Sequence, residues 1–310
     1  MKAVRFHSYG DSDVLVHEDV ERPVPGAGQV LVKVAGAAFN PADAALRGGF
    51  LQQIFSLTLP HVPGYDMAGV ITEVGEGVSG WNVGDPVVAF LPMTGPGAAA
   101  EYVAAPADAL AAAPRTVDLV DAAALPSTGL TAWQALFDVA GLKPGQSVLI
   151  NGAGGAVGGY AVQLAKQAGA IVTATASSRS ADRLRAYGAD QTVDYTTAPL
   201  AQTLADVRFD VVLNLAPVDP QEAARLVDLV ADGGVFVSAT TPGPENAGPG
   251  VRTTQVFVHS DAAQLTELVT RVDRGDLRID VAGRRPLADL PAVHDEAATG
   301  RLAGKTVLVP

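Results

Sequence analysis

Apolar and polar positions change rhythm once along this chain. Up to about residue 115 they come in short alternating runs. "QVLVKVAGAAF" (residues 29–39), "AGVITEVGEGV" (68–78) and "WNVGDPVVAF" (81–90) are separated by glycine-rich turns. Period-two alternation between turn residues predicts short, half-buried strands. From Leu119 to Ala140 the apolar positions recur at helical spacing, broken at Pro126, with Gly141 suited to a helix end and "KPGQ" to a turn. Strands and helices then take turns. "SVLIN" predicts a strand, followed by a glycine run and a helix to Gly169. "AIVTATA" predicts the next strand, with a helix over 181–187 stopped by Gly188. "QTVDY" and "FDVVLNLA" follow as strands, then a helix over 220–231, then "GGVFVSAT" and "TQVFVHS" as strands. Continuously apolar strands alternating with amphipathic helices predict an α/β fold: a doubly wound parallel sheet covered on both faces. The closing "GKTVLVP" reads as one more strand that returns to the first, mostly-β domain.

Composition narrows the function. The chain has 310 residues, 48% of them hydrophobic and 17% charged, which suits two globular domains with sizeable cores. No apolar run reaches the ~20 residues that span a bilayer, and "MKAVRFHSYG" lacks the layout of a signal peptide, so a cytoplasmic protein is expected. There is no cysteine, which removes disulfides, thiolate metal ligands and a cysteine nucleophile together. The formal net charge of -12 argues against nucleic acid as a partner. The five histidines are scattered, none with a metal-ligating partner at helical spacing. Ser127 sits in no Gly-x-Ser-x-Gly elbow, so hydrolase chemistry is not expected.

The most informative stretch is "LINGAGGAVGGYAVQLAKQAGA", residues 149–170, where five glycines fall between Asn151 and Tyr160. Glycine weakens both strand and helix, so its use where one becomes the other points to a close approach by something else. In a parallel α/β sheet this turn aims helix amides at a pyrophosphate. Strict G-x-G-x-x-G register is not kept; Ala153-x-Gly155-x-x-Gly158 fits, with alanine first. Dinucleotide binding is therefore expected, with Ala153, Gly154, Gly155, Ala156 and Val157 around the phosphates. An NAD site usually has Asp or Glu about 20 residues further on. Here Ala176, Ser177 and Ser178 stand at that point, followed by Arg179 and Arg183. Hydroxyls and cations without a carboxylate favour a 2′-phosphate, hence NADPH. Alternatively, Ser180 caps the next helix and the arginines face solvent.

"AFNPADAALRGG", "PHVPGYDMAGVITEVGEGVSGWNVGDPVVAF", "LPSTGLTAWQAL", "GAGGAVGGYAVQLAKQAGA", "YGADQTVDY" and "GKTVLVP" occur in order across the chain. With these stretches it resembles the zinc-free quinone oxidoreductase (zeta-crystallin-like) branch of the medium-chain dehydrogenase/reductases. The resemblance implies a GroES-like catalytic domain over 1–118 and 278–310, a Rossmann domain over 119–277, a cofactor between them and a homodimer. Where zinc members carry a cysteine and a histidine, this chain has Asn40 and Tyr65, so no metal is expected. By the same resemblance Asn40 and Tyr65 are the candidate catalytic residues. Asn40 would hydrogen-bond the substrate or the nicotinamide ribose, and Thr131 would contact the cofactor near its nicotinamide or its phosphates. Ser177, Arg183 and Tyr195 would meet the adenosine phosphate, while Asn214 and Ser238 sit at strand ends where ligands bind. One departure is Ala45, where many such reductases carry a tyrosine; a wider pocket is implied.

Three functions follow as expectations: NADPH-dependent reduction of a quinone; reduction of an activated C=C bond in an enone or enoyl thioester; and a structural protein that keeps NADPH for stability. Asn40 also has a purely structural reading, since "NP" is a turn dipeptide.

Overall fold

The computed structural model describes all 310 residues. The chain forms two compact units, residues 1–127 with 260–310, and residues 128–259.

The first unit is built on a seven-stranded sheet. Its central strand, Gln29–Ala38, pairs antiparallel with Asp66–Val74, with Tyr102–Pro106 and with Thr306–Val309. The C-terminal strand thus returns to this unit, with Val307 opposite Ala38. A two-stranded ribbon, Lys2–Phe6 with Leu15–Asp19, closes over one end. Phe6, Phe39, Leu290, Val293 and Leu308 form a core beneath it. The alternating stretches do become strands, but they are buried over most of their length and not half-buried as expected, Gln29–Ala38 fully exposing only Lys33. The turns between them carry glycine in conformations other residues avoid. The helix Pro41–Arg47 starts directly after the central strand, with Asn40 as its N-cap and proline in its first turn.

In the second unit the strands are numbered β1 to β6 within that unit. They are β1 (Ser147–Asn151), β2 (Ile171–Ala176), β3 (Gln191–Asp194), β4 (Phe209–Asn214), β5 (Val230–Ser238) and β6 (Arg252–Gln255). All pair in parallel, in the order 3-2-1-4-5-6. This is the doubly wound order in which strand direction of travel reverses beside β1. The connecting helices include α1 (Ala156–Gln167), α2 (Ala181–Ala186) and α3 (Pro220–Val227). Leu149, Val212, Leu226 and Phe236 pack one side of the sheet.

Several boundaries differ from the sequence reading. The units divide at 127/128 and 259/260, against the expected 118/119 and 277/278. Two short helices explain the shift: Leu119–Ala122 packs on the strands 29–38 and 66–74, and Ala262–Asp273 packs on Leu110–Ala112, all in the first unit. The stretch 119–140 is helical and broken at Pro126, as expected; Pro126 begins a separate helix, Pro126–Trp133. What the sequence did not indicate is its widening into a π-helical turn over Gln134–Val139. The helix expected to reach residue 231 ends at Val227, because Val230 already belongs to β5. "TQVFVHS" stops being strand at Gln255.

Candidate functional site

In the first unit Asn40, Asp66, Ser127 and Lys305 converge from four separate parts of the chain. The Lys305 ammonium donates to Asn40 Oδ1 at 2.6 Å and to Asp66 Oδ2 at 3.0 Å. Asn40 Nδ2 donates to Asp66 Oδ2 at 2.9 Å. Ser127 gives Asp66 two bonds, Oγ to Oδ2 at 2.7 Å and N–H to Oδ1 at 2.6 Å. Asp66 is fully buried and Lys305 and Ser127 nearly so, while Asn40 is half-buried. Two opposite charges withdrawn from water survive only when paired and hydrogen-bonded; here one carboxylate accepts from four donors.

A second layer surrounds Asn40. Its backbone N–H donates to Asp43 Oδ2 at 2.7 Å, and Gly64 N–H donates to Asp43 Oδ1 at 3.1 Å. Asp43 is nevertheless pushed up to about 7, chiefly by burial and also by the neighbouring Asp66. The Tyr65 hydroxyl lies 2.8 Å from His61 Nε2. Burial drives these two groups in opposite senses, raising the phenol and lowering the imidazole, so both are neutral near pH 7. Asn40 is therefore both the cap of its helix and a member of a polar cluster. Nowhere in the chain do three His, Asp or Glu side chains gather as metal ligands would.

In the second unit the glycine turn follows β1 directly. Gly152 has φ +82°, a conformation that suits glycine. A Cβ on Gly158 would come 2.4 Å from the Ala153 backbone, so the last glycine of the motif serves close packing of α1 on the turn. A Cβ on Gly155 would meet only the Gly152 carbonyl, at 3.4 Å. Gly155 is the N-cap of α1 and brings no side chain to its free amides. The turn therefore fits a pyrophosphate: backbone donors, a helix dipole and open space above them. Ala153, Gly154 and Gly155 lie in it, and Ala156 and Val157 open α1.

The carboxyl ends of the strands carry a row of uncharged polar groups. Thr175 Oγ1 donates to Asn151 Oδ1 at 3.2 Å, and Asn151 Nδ2 donates to Asn214 Oδ1 at 2.9 Å. Asn214 Nδ2 donates to Ser238 Oγ and to Thr240 Oγ1, each at 3.1 Å. Asn214 and Ser238 thus belong to one chain of bonds, which the sequence reading had only as two separate strand ends. Asn151, Thr175 and Thr240 complete it; their polarity at the ends of apolar strands was the available signal.

The adenosine end is more divided. Ser177, Ser178, Asp182, Arg185, Thr192 and Asp194 line one open concavity beside β2 and β3. Arg183 is not among them: its guanidinium donates to the Gly154 carbonyl at 2.6 Å and so braces the glycine turn. Arg185 is paired with Asp182 at 2.7 Å. Arg179 stands exposed on the turn after Ser178, and Tyr195 follows β3 with 52% of its surface exposed. Thr131 lies in the helix Pro126–Trp133, half-buried. Lys305 is the residue that sequence reasoning missed. It stands inside "GKTVLVP", where a lone lysine before an apolar strand looks like an ordinary exposed end.

Comparison with known proteins gives the family. Residues 26–115 match the alcohol dehydrogenase GroES-like domain and residues 187–308 match the zinc-binding dehydrogenase family. A chloroplast envelope quinone oxidoreductase homolog of Arabidopsis thaliana is 31% identical over 100% of this chain and 98% of its own length. An NADPH-dependent alkenal/one oxidoreductase of the same plant is 34% identical, covering 100% of this chain and 80% of that one. The solved structure of the quinone oxidoreductase from Coxiella burnetii superposes with a TM-score of 0.88 at 30% identity, over 100% of this chain and 99% of that one.

Proposed function

The chain belongs to the medium-chain dehydrogenase/reductase family, in its quinone oxidoreductase branch, and on that premise we propose that it is an NADPH-dependent, metal-independent reductase of quinones. The observation that carries the cofactor half is the side-chain-free turn at the start of α1, set beside the polar row Thr175–Asn151–Asn214–Ser238. When bound, a reduced nicotinamide supplies the hydride. The residues of the turn hold the pyrophosphate by backbone amides, and the strand-end amides and hydroxyls bind and orient the groups beyond it. The choice of NADPH is supported by Ser177 and Ser178, which line the concavity at the end of β2 where NAD enzymes put a carboxylate, and by Arg179, an exposed cation next in the chain.

Metal independence is supported by how Asn40 and Tyr65 spend their polar atoms. Tyr65 is bonded to His61, and the oxygen of Asn40 faces an ammonium that already supplies the local positive charge. Quinones accept hydride without a Lewis acid because the arriving charge spreads over a conjugated system. A second reading, reduction of an activated C=C bond, is supported by the name of the alkenal/one relative and by Ala45, whose small side chain leaves room for a bulky acceptor.

A homodimer is supported by β6, an edge strand with its outer side unpaired and followed by Phe257 at 75% exposure. No helix is long and apolar enough to cross a membrane; we place the protein in the cytoplasm. Oxidation of NADPH, followed by nicotinamide absorbance against a panel of quinones, enones and an enoyl thioester, tests the reading. Turnover confined to enones selects the second one.

A further inference from the structure

A carboxamide has an acceptor end and a donor end of nearly the same shape, and what Asn40 offers a ligand depends on which end faces it. The chemistry of its neighbours decides this. An ammonium only donates and a carboxylate only accepts. With Lys305 Nζ at 2.6 Å and Asp66 Oδ2 at 2.9 Å, the oxygen must face the lysine and the nitrogen the aspartate. Rotating the amide would press an NH2 group against the ammonium and a carbonyl against the carboxylate. The nitrogen has a second hydrogen, whose contact with the Ala38 carbonyl is long at 3.4 Å. It is the one hydrogen of this half-buried side chain open to a shorter partner.

Lys305 reaches this place through the register of the last strand, in which Val307 sits opposite Ala38, two residues before Asn40. Its side chain is 3% exposed, so it serves the interior and not the surface.

We propose that Lys305 is a positioning residue: it fixes the Asn40 carboxamide so that an N–H faces the ligand, and the ligand atom Asn40 recognises is therefore an acceptor, the carbonyl oxygen of the oxidised substrate. A donated bond at that oxygen strengthens as charge arrives on it, which favours the transition state over the ground state. This rests on the reductase reading above, so its test has a part that needs no substrate.

That part is solvent exchange of the Asn40 side-chain amide by nuclear magnetic resonance, with the signal assigned by its loss in Asn40→Asp. In the unmodified protein the amide is expected to exchange at least about ten-fold more slowly than that of the exposed Asn82. In Lys305→Met it should approach the Asn82 rate. Turnover with a quinone should fall about ten-fold while the dissociation constant for NADPH stays within about two-fold. A folded Lys305→Met protein with Asn40 as protected as before overturns the proposal. If that variant does not fold, the unmodified protein decides: exchange at Asn40 as fast as at Asn82 overturns it. An unmodified protein that turns over neither quinone nor enone removes the reductase reading, while the exchange result still judges the positioning.

Discussion

Lys305 and Asp66 are 239 residues apart in sequence, yet their side chains form an ion pair at 3.0 Å with 3% and 0% of their surfaces exposed. The last strand of the chain is thereby fastened to the strand 66–74 by charge as well as by its place in the sheet.

Breaking this pair should be costly. Asp66→Asn leaves a buried ammonium without its counter-charge, with an expected loss of about 3–5 kcal/mol in urea denaturation. Arg284 and Asp118 provide the control, at 2.6 Å but 43% and 71% exposed. Asp118→Asn should change stability by no more than about 1 kcal/mol. Equal effects would mean that burial does not set the strength of the Lys305 pair.

The two glycines of the motif should separate binding from folding. Gly155→Asp puts a carboxylate into open space above the amides of α1, so the protein should fold and lose NADPH affinity by at least about 100-fold. Gly158→Ala drives a methyl into the Ala153 backbone and should cost about 1–3 kcal/mol of stability. Calorimetric titration and urea midpoints on both variants check the pair. Undiminished NADPH affinity in Gly155→Asp would remove the phosphate assignment.

Much of this was legible in the chain itself. The glycine run, set between an apolar strand and a helix, located the turn that fits a pyrophosphate, because close backbone approach leaves a compositional mark. Asn214 and Ser238 were legible as polar ends of apolar strands. The bonds that join them to each other and to Asn151 and Thr175 were not, since parallel pairing brings together residues more than twenty positions apart. Lys305 was invisible for the same reason: its partners lie in the first third of the chain, and nothing in "GKTVLVP" marks a lysine as buried. Arg183 was legible only as a cation after the serines; that its guanidinium also reaches the Gly154 carbonyl was not.

Asp43 and His294 should give stability an unusual dependence on pH. Asp43 is raised from 3.8 to about 7, chiefly by burial. The folded state keeps a proton that the unfolded chain releases, so its contribution is full below 3.8 and is lost as pH rises to 7. His294 is buried, with neither ring nitrogen bonded, and burial lowers it from 6.5 to about 3. Its contribution is full above 6.5 and is lost as pH falls. The two slopes oppose each other between 3.8 and 6.5. His294→Phe removes one of them and relieves two unbonded nitrogens. The variant should gain about 1–3 kcal/mol over the parent at about pH 5 and less at about pH 7.5. A gain that is the same at both would show that the imidazole does not titrate in this way.

Cofactor choice should rest on Arg179 more than on Arg183 or Arg185, which are occupied by Gly154 and Asp182. Arg179→Ala should weaken NADPH binding by about ten-fold or more, the worth of one charge-assisted bond, and leave NADH unchanged. Equal weakening of both cofactors, read by titration of nicotinamide fluorescence, would move Arg179 away from the 2′-phosphate.

The most direct measurement is steady-state oxidation of NADPH by the chelator-treated protein with a quinone as acceptor, run beside NADH and an enone. The account predicts rapid quinone-dependent oxidation that survives chelation and falls steeply with NADH. Activity that disappears on chelation and returns with a divalent metal, or NADH used as well as NADPH, would contradict it.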